Sequence, residues 1–345
     1  MVISHRSVEH CDRLIGARRL VSMSSSFDKI PTIDLSLVDN PETTPQLLDS
    51  LHYALTEVGF LYVSNHGVPI DVIASLVQAL PTLFSQPADV KKCVAMENSP
   101  HFLGYSSVGS ETTAGVSDRR EQFEFATELT EVWREGLPLY ERLRGPNQAR
   151  SLPPETFKSF LSDQHRLKLV RYPGLPPEDL DASKQGVGPH KDSSGWWTFL
   201  LQASPPEVKG LQALNKAGEW IDVPNVPGTF VVNIGQAFEV VTNGTCKATT
   251  HRVLSSSRER FSVPFFQGVR RDLTKIEAVE TLKAHFESLS PGQESTEGHS
   301  IDSAFLRGKY DTWGESQLRT KVRSHRENGR KFYAQVYDRY ISDDV

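Results

Sequence analysis

Residues 186–202 read GVGPHKDSSGWWTFLLQ, and both the fold and the chemistry of the chain depend on this stretch. His190 and Asp192 stand one residue apart, and a mostly apolar run follows them. Because residues i and i+2 of an extended segment point to the same face, both side chains can bind one metal ion. The apolar run predicts a buried strand. The stretch therefore predicts a metal site beside a β sheet; the alternative is two polar residues at a turn.

A histidine two residues before an acid is a weak signal by itself. With 11 histidines and 43 acidic residues in 345 positions, chance gives roughly 1.4 such triplets. The chain contains three others, which begin at His10, His285 and His325. The first lies in a polar tail. The other two lie in stretches predicted to be helical, where residues two apart do not face each other. Context therefore distinguishes the pair at 190 and 192.

A third ligand is needed, and His251 is the candidate. It lies in NGTCKATTHRV, a turn followed by a strand-like run. Two neutral imidazoles and one carboxylate leave other coordination positions open, which suits ferrous iron in oxygen-activating enzymes. Zinc accepts the same ligand types, so the ligand set does not decide between the two metals. A zinc hydrolase is less favoured because no general base is spaced for it.

The run RFSVPFF, residues 260–266, adds a candidate anion site. In a strand, Arg260 and Ser262 share a face. An arginine inside a barrel is costly unless it meets an anion. Its planar fork matches a carboxylate, and the serine hydroxyl can add a hydrogen bond. The alternative is an exposed arginine on an edge strand.

The pattern of the whole chain indicates three structural regions after a tail. Short apolar or alternating runs between 166 and 270, separated by turn signals, predict an antiparallel sandwich or barrel. Helical spacing predicts helices before and after it, one of them disturbed by Pro81. The predicted organisation is a disordered tail over 1–28, a helix and strand region over 29–150 that is loop-rich after 95, a catalytic core over 151–272, and a helical region over 273–345.

Composition excludes several classes of function. The net charge of −5 shows no basic excess, so nucleic acid is not expected as a partner. No apolar run is long enough to span a membrane. Three widely separated cysteines argue against a disulfide framework and for a reducing compartment, such as the cytoplasm.

These segments resemble the iron(II)- and 2-oxoglutarate-dependent oxygenases of the isopenicillin N synthase-like family. The resemblance is carried by PHKD, by GLQALNKAGEWIDVPNVPGTFVVNIGQAFEVVTNGTCKATTHRVL, by RERFSVPFF, and by the opening runs IPTIDLS and GFLYVSNHGVP. It covers roughly residues 30–345, and the middle and tail look most like members from fungal metabolism. The resemblance implies a mixed α and β fold: a double-stranded β-helix, or jelly roll, flanked by α-helices.

The resemblance also implies the cofactors and their ligands. Fe(II) would be held by His190, Asp192 and His251, and O2 would be the oxidant. The distal carboxylate of 2-oxoglutarate would pair with Arg260 and Ser262. Two further residues match the family: Tyr172 in VRYP, which would contact cosubstrate or substrate, and Asn233 in VVNIG, which would have a structural role.

The function implied by the family is oxidation of a small organic molecule, such as a secondary metabolite, by hydroxylation, desaturation or ring closure. Two alternatives stay open. One is a ring-closing oxidase of the same fold that does not use 2-oxoglutarate. The other is a catalytically impaired binding protein, although none of the three candidate ligands is substituted.

Four aromatic residues are candidates for the substrate pocket. Phe102 and Tyr105 lie in a segment that could cover the site, Trp196 follows the HKD motif, and Phe266 ends the strand of Arg260. For Trp196 core packing is an equally good interpretation. Aromatic walls would favour a fairly apolar substrate.

One departure from the family concerns residues 149–165. Relatives carry a long helix here, whereas this interval has room for two or three turns. Apolar sheet surface left uncovered would cost about 25 cal/mol per Å². The sequence therefore predicts poor solubility or self-association of the chain.

Overall fold

The computed structural model describes residues 26–113, 115–129, 133–148, 165–180, 185–193, 196–280, 305–306 and 310–342. The predicted disordered tail lies almost wholly outside these residues, and so does the short segment before residue 165. The predicted self-association, which rests on that segment, therefore stays a prediction.

Two β sheets face each other and enclose a common core. The strands of the major sheet are β1 Thr32–Asp34, β2 Phe60–Ser64, β3 Gly104–Ser106, β6 Glu121–Ala126, β7 Arg166–Tyr172, β9 Trp197–Gln202, β12 Thr229–Ile234 and β14 Arg260–Phe266. Their order is β1-β2-β12-β9-β14-β7-β6-β3, antiparallel except for β1 and β2. The strands of the minor sheet are β8 Gln185–His190, β10 Leu211–Leu214, β11 Trp220–Asp222 and β13 His251–Leu254, in the order β11-β10-β13-β8. A small hairpin joins β4 Thr112–Thr113 to β5 Val116–Ser117.

Alternation along the strands separates an inner face from an outer face. On β9, Leu200 packs into the cluster between the sheets, whereas Phe199 and Leu201 pack on the outside. The inner cluster takes apolar side chains from both sheets: Tyr62, Val170, Tyr172, Val187, Leu211, Ala213, Val231 and Val253. This two-sheet enclosure is the predicted jelly roll.

Helices cover the outer faces. They are α1 Thr44–Tyr53, α2 Ile70–Phe84, α3 Ala88–Cys93, α4 Gln236–Val241, α5 Lys275–Glu280, α6 Trp313–Ser324, α7 Arg326–Phe332 and α8 Ala334–Ile341. A π-helical turn, Ala54–Val58, extends α1 and ends at Gly59 with φ +71°. A Cβ there would lie 2.2 Å from the carbonyl oxygen of Lys247, so glycine is required for this turn. None of the helices in the described ranges is both long and apolar enough to cross a bilayer.

One local prediction was wrong, and another missed a strand. Pro81 does not end α2, which continues through it to Phe84, and the carbonyl of Pro81 still accepts from Ser85 N–H. The region after residue 95 is loop-rich, as predicted, but it contains one strand of the major sheet: β6 pairs with β7 from Glu121↔Arg171 to Ala126↔Arg166. Strand β6 therefore extends the major sheet, and its inner face becomes part of the cavity wall.

Candidate metal centre and cosubstrate site

The three predicted metal ligands converge at one end of the minor sheet. His190 ends β8, His251 begins β13, and the two residues are direct partners across the antiparallel pair. Asp192 follows two residues after His190, and its Oδ1 lies 3.8 Å from Nε2 of His190 and 3.6 Å from Nε2 of His251. One ligand atom from each side chain lies within 4.8 Å of the other two. This spacing fits a single ion bound by two imidazoles and one carboxylate.

Hydrogen bonds orient both imidazoles toward the same point. Nδ1 of His190 donates to the carbonyl of Gly188 at 2.7 Å, and Nδ1 of His251 donates to the carbonyl of Thr249 at 3.1 Å. Because a carbonyl can only accept, the proton resides on Nδ1 and Nε2 keeps its lone pair. The backbone thus presets the tautomer that a metal requires.

The carboxylate of Asp192 is oriented in the same way. Its Oδ2 accepts hydrogen bonds from Thr198 Oγ1 at 2.6 Å and from Asn233 Nδ2 at 2.7 Å, which leaves Oδ1 directed at the histidines. Burial opposes ionisation, but the nearby histidines and these two hydrogen bonds hold the pKa of Asp192 below its ordinary value. Burial, assisted by the charge of His251, lowers the pKa of His190 to about 4. At neutral pH Asp192 is therefore an anion and His190 is neutral, which are the protonation states that bind a divalent metal.

The predicted anion site lies deeper between the sheets. Arg260 is 3% exposed, and its Nη2 donates to Gln202 Oε1 at 3.1 Å. Its guanidinium lies 5.2 Å from the ring centre of Tyr172 and interacts with the tyrosine hydroxyl. Ser262 is 2% exposed on the same face of β14. Nη1 of Arg260 is buried without a hydrogen-bond partner among the described residues, which fits a site whose acceptor belongs to a bound anion.

Of the four aromatic candidates, Phe266 lies on the site face. It shares the inner face of β14 with Arg260 and pairs with Thr198, the residue that holds Asp192. Trp196 instead packs edge-on against Phe238, in the outer cluster that also contains Trp313. Core packing is thus the interpretation that the structure supports for Trp196.

The other two aromatics do not cover the site. Phe102 is fully buried and stacks on Tyr333 in the cluster under the C-terminal helices. Tyr105 pairs with Phe123 on the outer face of the major sheet, opposite to Tyr172, and donates to Glu121. Hydrophobic packing of the N-terminal region against the sheet and the C-terminal helices fixes both residues. The expectation of an apolar substrate, which rested on these aromatics, is not supported by their positions.

Sequence reasoning missed a second polar set on the inner side of the major sheet. We call it the charged wall, and it consists of Glu111, Asp118, Arg120, Gln122, Glu124, Arg166, Lys168, Lys321 and His325. Its members come from the β4–β5 hairpin, β6, β7 and the end of α6 with the residue that follows it. The alternation of EQFEFA in β6 was the available signal, since Gln122 and Glu124 fall on the face opposite to Phe123 and Phe125.

Two facing sheets that hold two histidines and one carboxylate near a buried arginine fit the class of mononuclear non-haem iron oxygenases, in which two histidines and one carboxylate bind the metal. Profiles of two families match in succession: the non-haem dioxygenase N-terminal family, described as acting in morphine synthesis, over residues 30–151, and the 2OG-Fe(II) oxygenase superfamily over residues 164–269. The chain therefore belongs to the 2OG-Fe(II) oxygenase superfamily.

Individual proteins agree with this assignment. The chain is 37% identical over 345 residues to the 2-oxoglutarate-dependent dioxygenase frbJ of Dothideomycetidae sp. (strain 11243), covering 89% of this chain and 92% of the relative. It is 33% identical to a 2-oxoglutarate-dependent dioxygenase of Gibberella zeae, covering 79% and 84%. The crystal structure of a full-length Neurospora crassa protein in complex with alpha-KG superposes with a TM-score of 0.57 at 21% identity, covering 75% of this chain and 91% of that protein, and supports the fold.

The predicted family, jelly-roll fold and enzyme class are confirmed. The protein is an oxidoreductase that uses Fe(II), 2-oxoglutarate and O2 and acts on a small molecule. The alternatives of an oxidase without 2-oxoglutarate and of an impaired binding protein are not favoured.

Proposed function

We propose that His190, Asp192 and His251 bind the catalytic Fe(II), and that Arg260 and Ser262 bind the distal carboxylate of 2-oxoglutarate. The observation that carries this assignment is the convergence of three oriented ligand atoms within 4.8 Å above a buried arginine whose Nη1 has no acceptor among the described residues. Chance placement of surface acids does not explain it, because Asp192 is about nine-tenths buried and both of its oxygens are directed.

The iron, once loaded with 2-oxoglutarate and O2, supplies the oxidising power that removes hydrogen from an unactivated carbon. The side chains of the chain do the rest. The two imidazoles and Asp192 would supply three ligands to the iron and leave its other coordination positions to 2-oxoglutarate and O2. Arg260 and Tyr172 orient the cosubstrate from below. The apolar cluster between the sheets excludes water from this end of the cavity.

We further propose that the substrate is a secondary metabolite and that it is hydroxylated, desaturated or cyclised. Two of the proteins most similar in sequence are fungal 2-oxoglutarate-dependent dioxygenases, which supports a role in fungal metabolism. Residence in the cytoplasm is proposed as well, because Cys93 and Cys246 are free thiols, as a reducing compartment allows.

The test is the visible metal-to-ligand charge-transfer band of the anaerobic Fe(II) and 2-oxoglutarate complex. We expect the band in the wild type and its loss in His190→Ala. In Arg260→Met the band should persist but require about 10- to 100-fold more 2-oxoglutarate, because a charge-assisted pair is removed. Arg258→Met, an arginine on the exposed surface two residues earlier, is the matched control. Unchanged 2-oxoglutarate affinity in Arg260→Met would refute the anion-site assignment.

A further inference from the structure

The charged wall begins one side chain away from the candidate metal site. Lys168 lies on the same face of β7 as Tyr172, and its Nζ is 5.8 Å from the ring centre of Phe266. Phe266 pairs with Thr198, whose hydroxyl donates to Asp192. The wall is therefore connected to the metal site through Phe266 and Thr198.

Helix α6 ties the wall to the loop that carries Asp192. Gln317 Nε2 donates to the carbonyl of Ser193 at 3.0 Å. One turn further along the helix, Lys321 Nζ lies 2.8 Å from Glu124 Oε1. Since residues i and i+4 share a helix face, one face of α6 contacts both the loop of Asp192 and the wall.

The wall contains more cations than carboxylates. Its four cations are Arg120, Arg166, Lys168 and Lys321, and its three carboxylates are Glu111, Asp118 and Glu124. The remaining titratable member, His325, is neutral at pH 7, because burial lowers its pKa to about 4. Among the described residues of the wall, one positive charge is therefore uncompensated.

Binding of 2-oxoglutarate does not compensate the surplus positive charge of the wall. Fe(II) and Arg260 supply three positive charges, and Asp192 with the two carboxylates of 2-oxoglutarate supplies three negative ones. A buried surplus cation is costly unless an anion joins it. The charges at the metal end thus balance without the surplus cation of the wall, which is left for another anion.

The lysine of β7 is the cation of the wall with the weakest pairing. Lys168 Nζ is 3.5 Å from Glu111 and 3.6 Å from Glu124, both longer than a charge-assisted hydrogen bond. By contrast, Arg120 lies 2.8 Å from the carboxylate of Glu111. Gln122, which is 1% exposed, has a buried Oε1 without a hydrogen-bond partner in the described part of the chain. This oxygen can accept from a donor on the same ligand.

We propose that the charged wall is the recognition surface for the prime substrate, and that this substrate carries a carboxylate bound by Lys168. The proposal rests on the proposed function, since it names the substrate class of the same site. A small organic acid fits it, with its carboxylate at the wall and the carbon to be oxidised near the iron. Phe266, whose ring lies beneath the ammonium group, would contact the apolar part of the acid.

The experiment compares acids with amides of the same shape. Anaerobic protein saturated with Fe(II) and 2-oxoglutarate is titrated with acetate and acetamide, propanoate and propanamide, and phenylacetate and phenylacetamide, and the shift of the charge-transfer band is followed. The wild type should bind at least one acid about tenfold or more tightly than its amide. Lys168→Met should reduce that ratio to about one, and Lys168→Arg should retain it. Retention of the band in each variant shows that the iron site is folded.

Each outcome has one meaning. A wild type without the band overturns the proposed function and this inference with it. An intact band with no preference for any acid overturns the inference alone. A preference that survives unchanged in Lys168→Met overturns the assignment of the surplus charge to the wall.

Discussion

The metal site and the charged wall, at the two ends of the cavity, differ in how their side chains are held in place. At the metal end, two side chains from the adjacent strands β8 and β13 and one from the loop after β8 converge, and each is oriented by one or two hydrogen bonds. At the charged wall, nine side chains from four separate elements are linked by ion pairs and hydrogen bonds. The metal end is preset for one ion. The wall is a network in which every member depends on the others, so losses there should affect folding as well as binding.

The largest effect is expected from removing a metal ligand. His251→Ala leaves two ligands, so iron affinity and 2-oxoglutarate turnover should fall by more than the roughly 10- to 100-fold typical of residues that only orient a ligand. Bound iron and succinate release measure the two effects. His52→Ala, on the exposed side of α1, is the control and should behave like the wild type. Full iron occupancy in His251→Ala would contradict the assignment of β13 to the site.

Sequence sufficed for the metal end because its signals are local. His190 and Asp192 are two residues apart, at and just after the end of β8, and Arg260 and Ser262 repeat the same spacing within β14. Jelly-roll pairing then brings the distant His251 opposite His190. The same segments also predicted the core strands, which the structure contains, and carried the resemblance to the oxygenases, which the family match confirms.

The charged wall could not be predicted from local sequence patterns. Lys321 and Glu124 are 197 positions apart, and each is an ordinary charged residue in its own segment. They become a buried pair only because β6 extends the major sheet and α6 packs above it. The aromatic candidates failed for a related reason, since hydrophobicity predicts burial without saying which cluster a side chain joins. Phe102 and Trp196 joined outer clusters, whereas Phe266 stayed inside.

Loss of a buried carboxylate of the charged wall should lower the free energy of unfolding more than loss of an exposed carboxylate. The Glu124 side chain is fully buried and meets Lys321 at 2.8 Å and Arg166 at 2.5 Å. Glu124→Gln keeps the shape but leaves these cations without their partner, so unfolding free energy should fall by about 3–5 kcal/mol. Chemical denaturation of the metal-free chain measures it.

The matched control is Glu327→Gln on α7. Glu327 pairs with Arg330 at 2.9 Å, but its side chain is 77% exposed. Solvent screening limits such a pair to about 0–1 kcal/mol. Equal losses in the two variants would show that the wall contributes no more than a surface pair.

The pH dependence of stability reports the burial of His325. Desolvation lowers its pKa to about 4, against partial opposition from Glu111 and Glu124, while Lys321 and Lys168 reinforce the shift. Between pH 6.5 and about 4 the unfolded chain binds a proton at this site and the folded chain does not, so stability falls as pH falls through that window. The loss should reach roughly 3 kcal/mol at most.

Comparison with His325→Leu isolates this contribution. Denaturation of the metal-free protein at several values between about pH 7 and pH 4 should give a steeper decline for the wild type than for the variant. Parallel curves would mean that His325 is accessible to protons in the folded state. The metal end adds its own dependence through His190, which is common to both proteins and cancels in the difference.

The smallest effect is expected where a side chain only orients a ligand. Thr198→Val removes the 2.6 Å hydrogen bond to Asp192 Oδ2 and keeps the volume, while Asn233 still holds the same oxygen. Iron affinity should weaken by about 10- to 100-fold, toward the lower end because one of two donors remains. Thr229→Val, which removes a hydroxyl from a turn contact with Val226, controls for loss of a threonine hydrogen bond in the major sheet. Equal iron affinity in Thr198→Val and Thr229→Val would mean that the fold, and not the two hydrogen-bond donors, orients the carboxylate of Asp192. The contrast between a metal site preset by hydrogen bonds and an interdependent charged wall would then have to be abandoned.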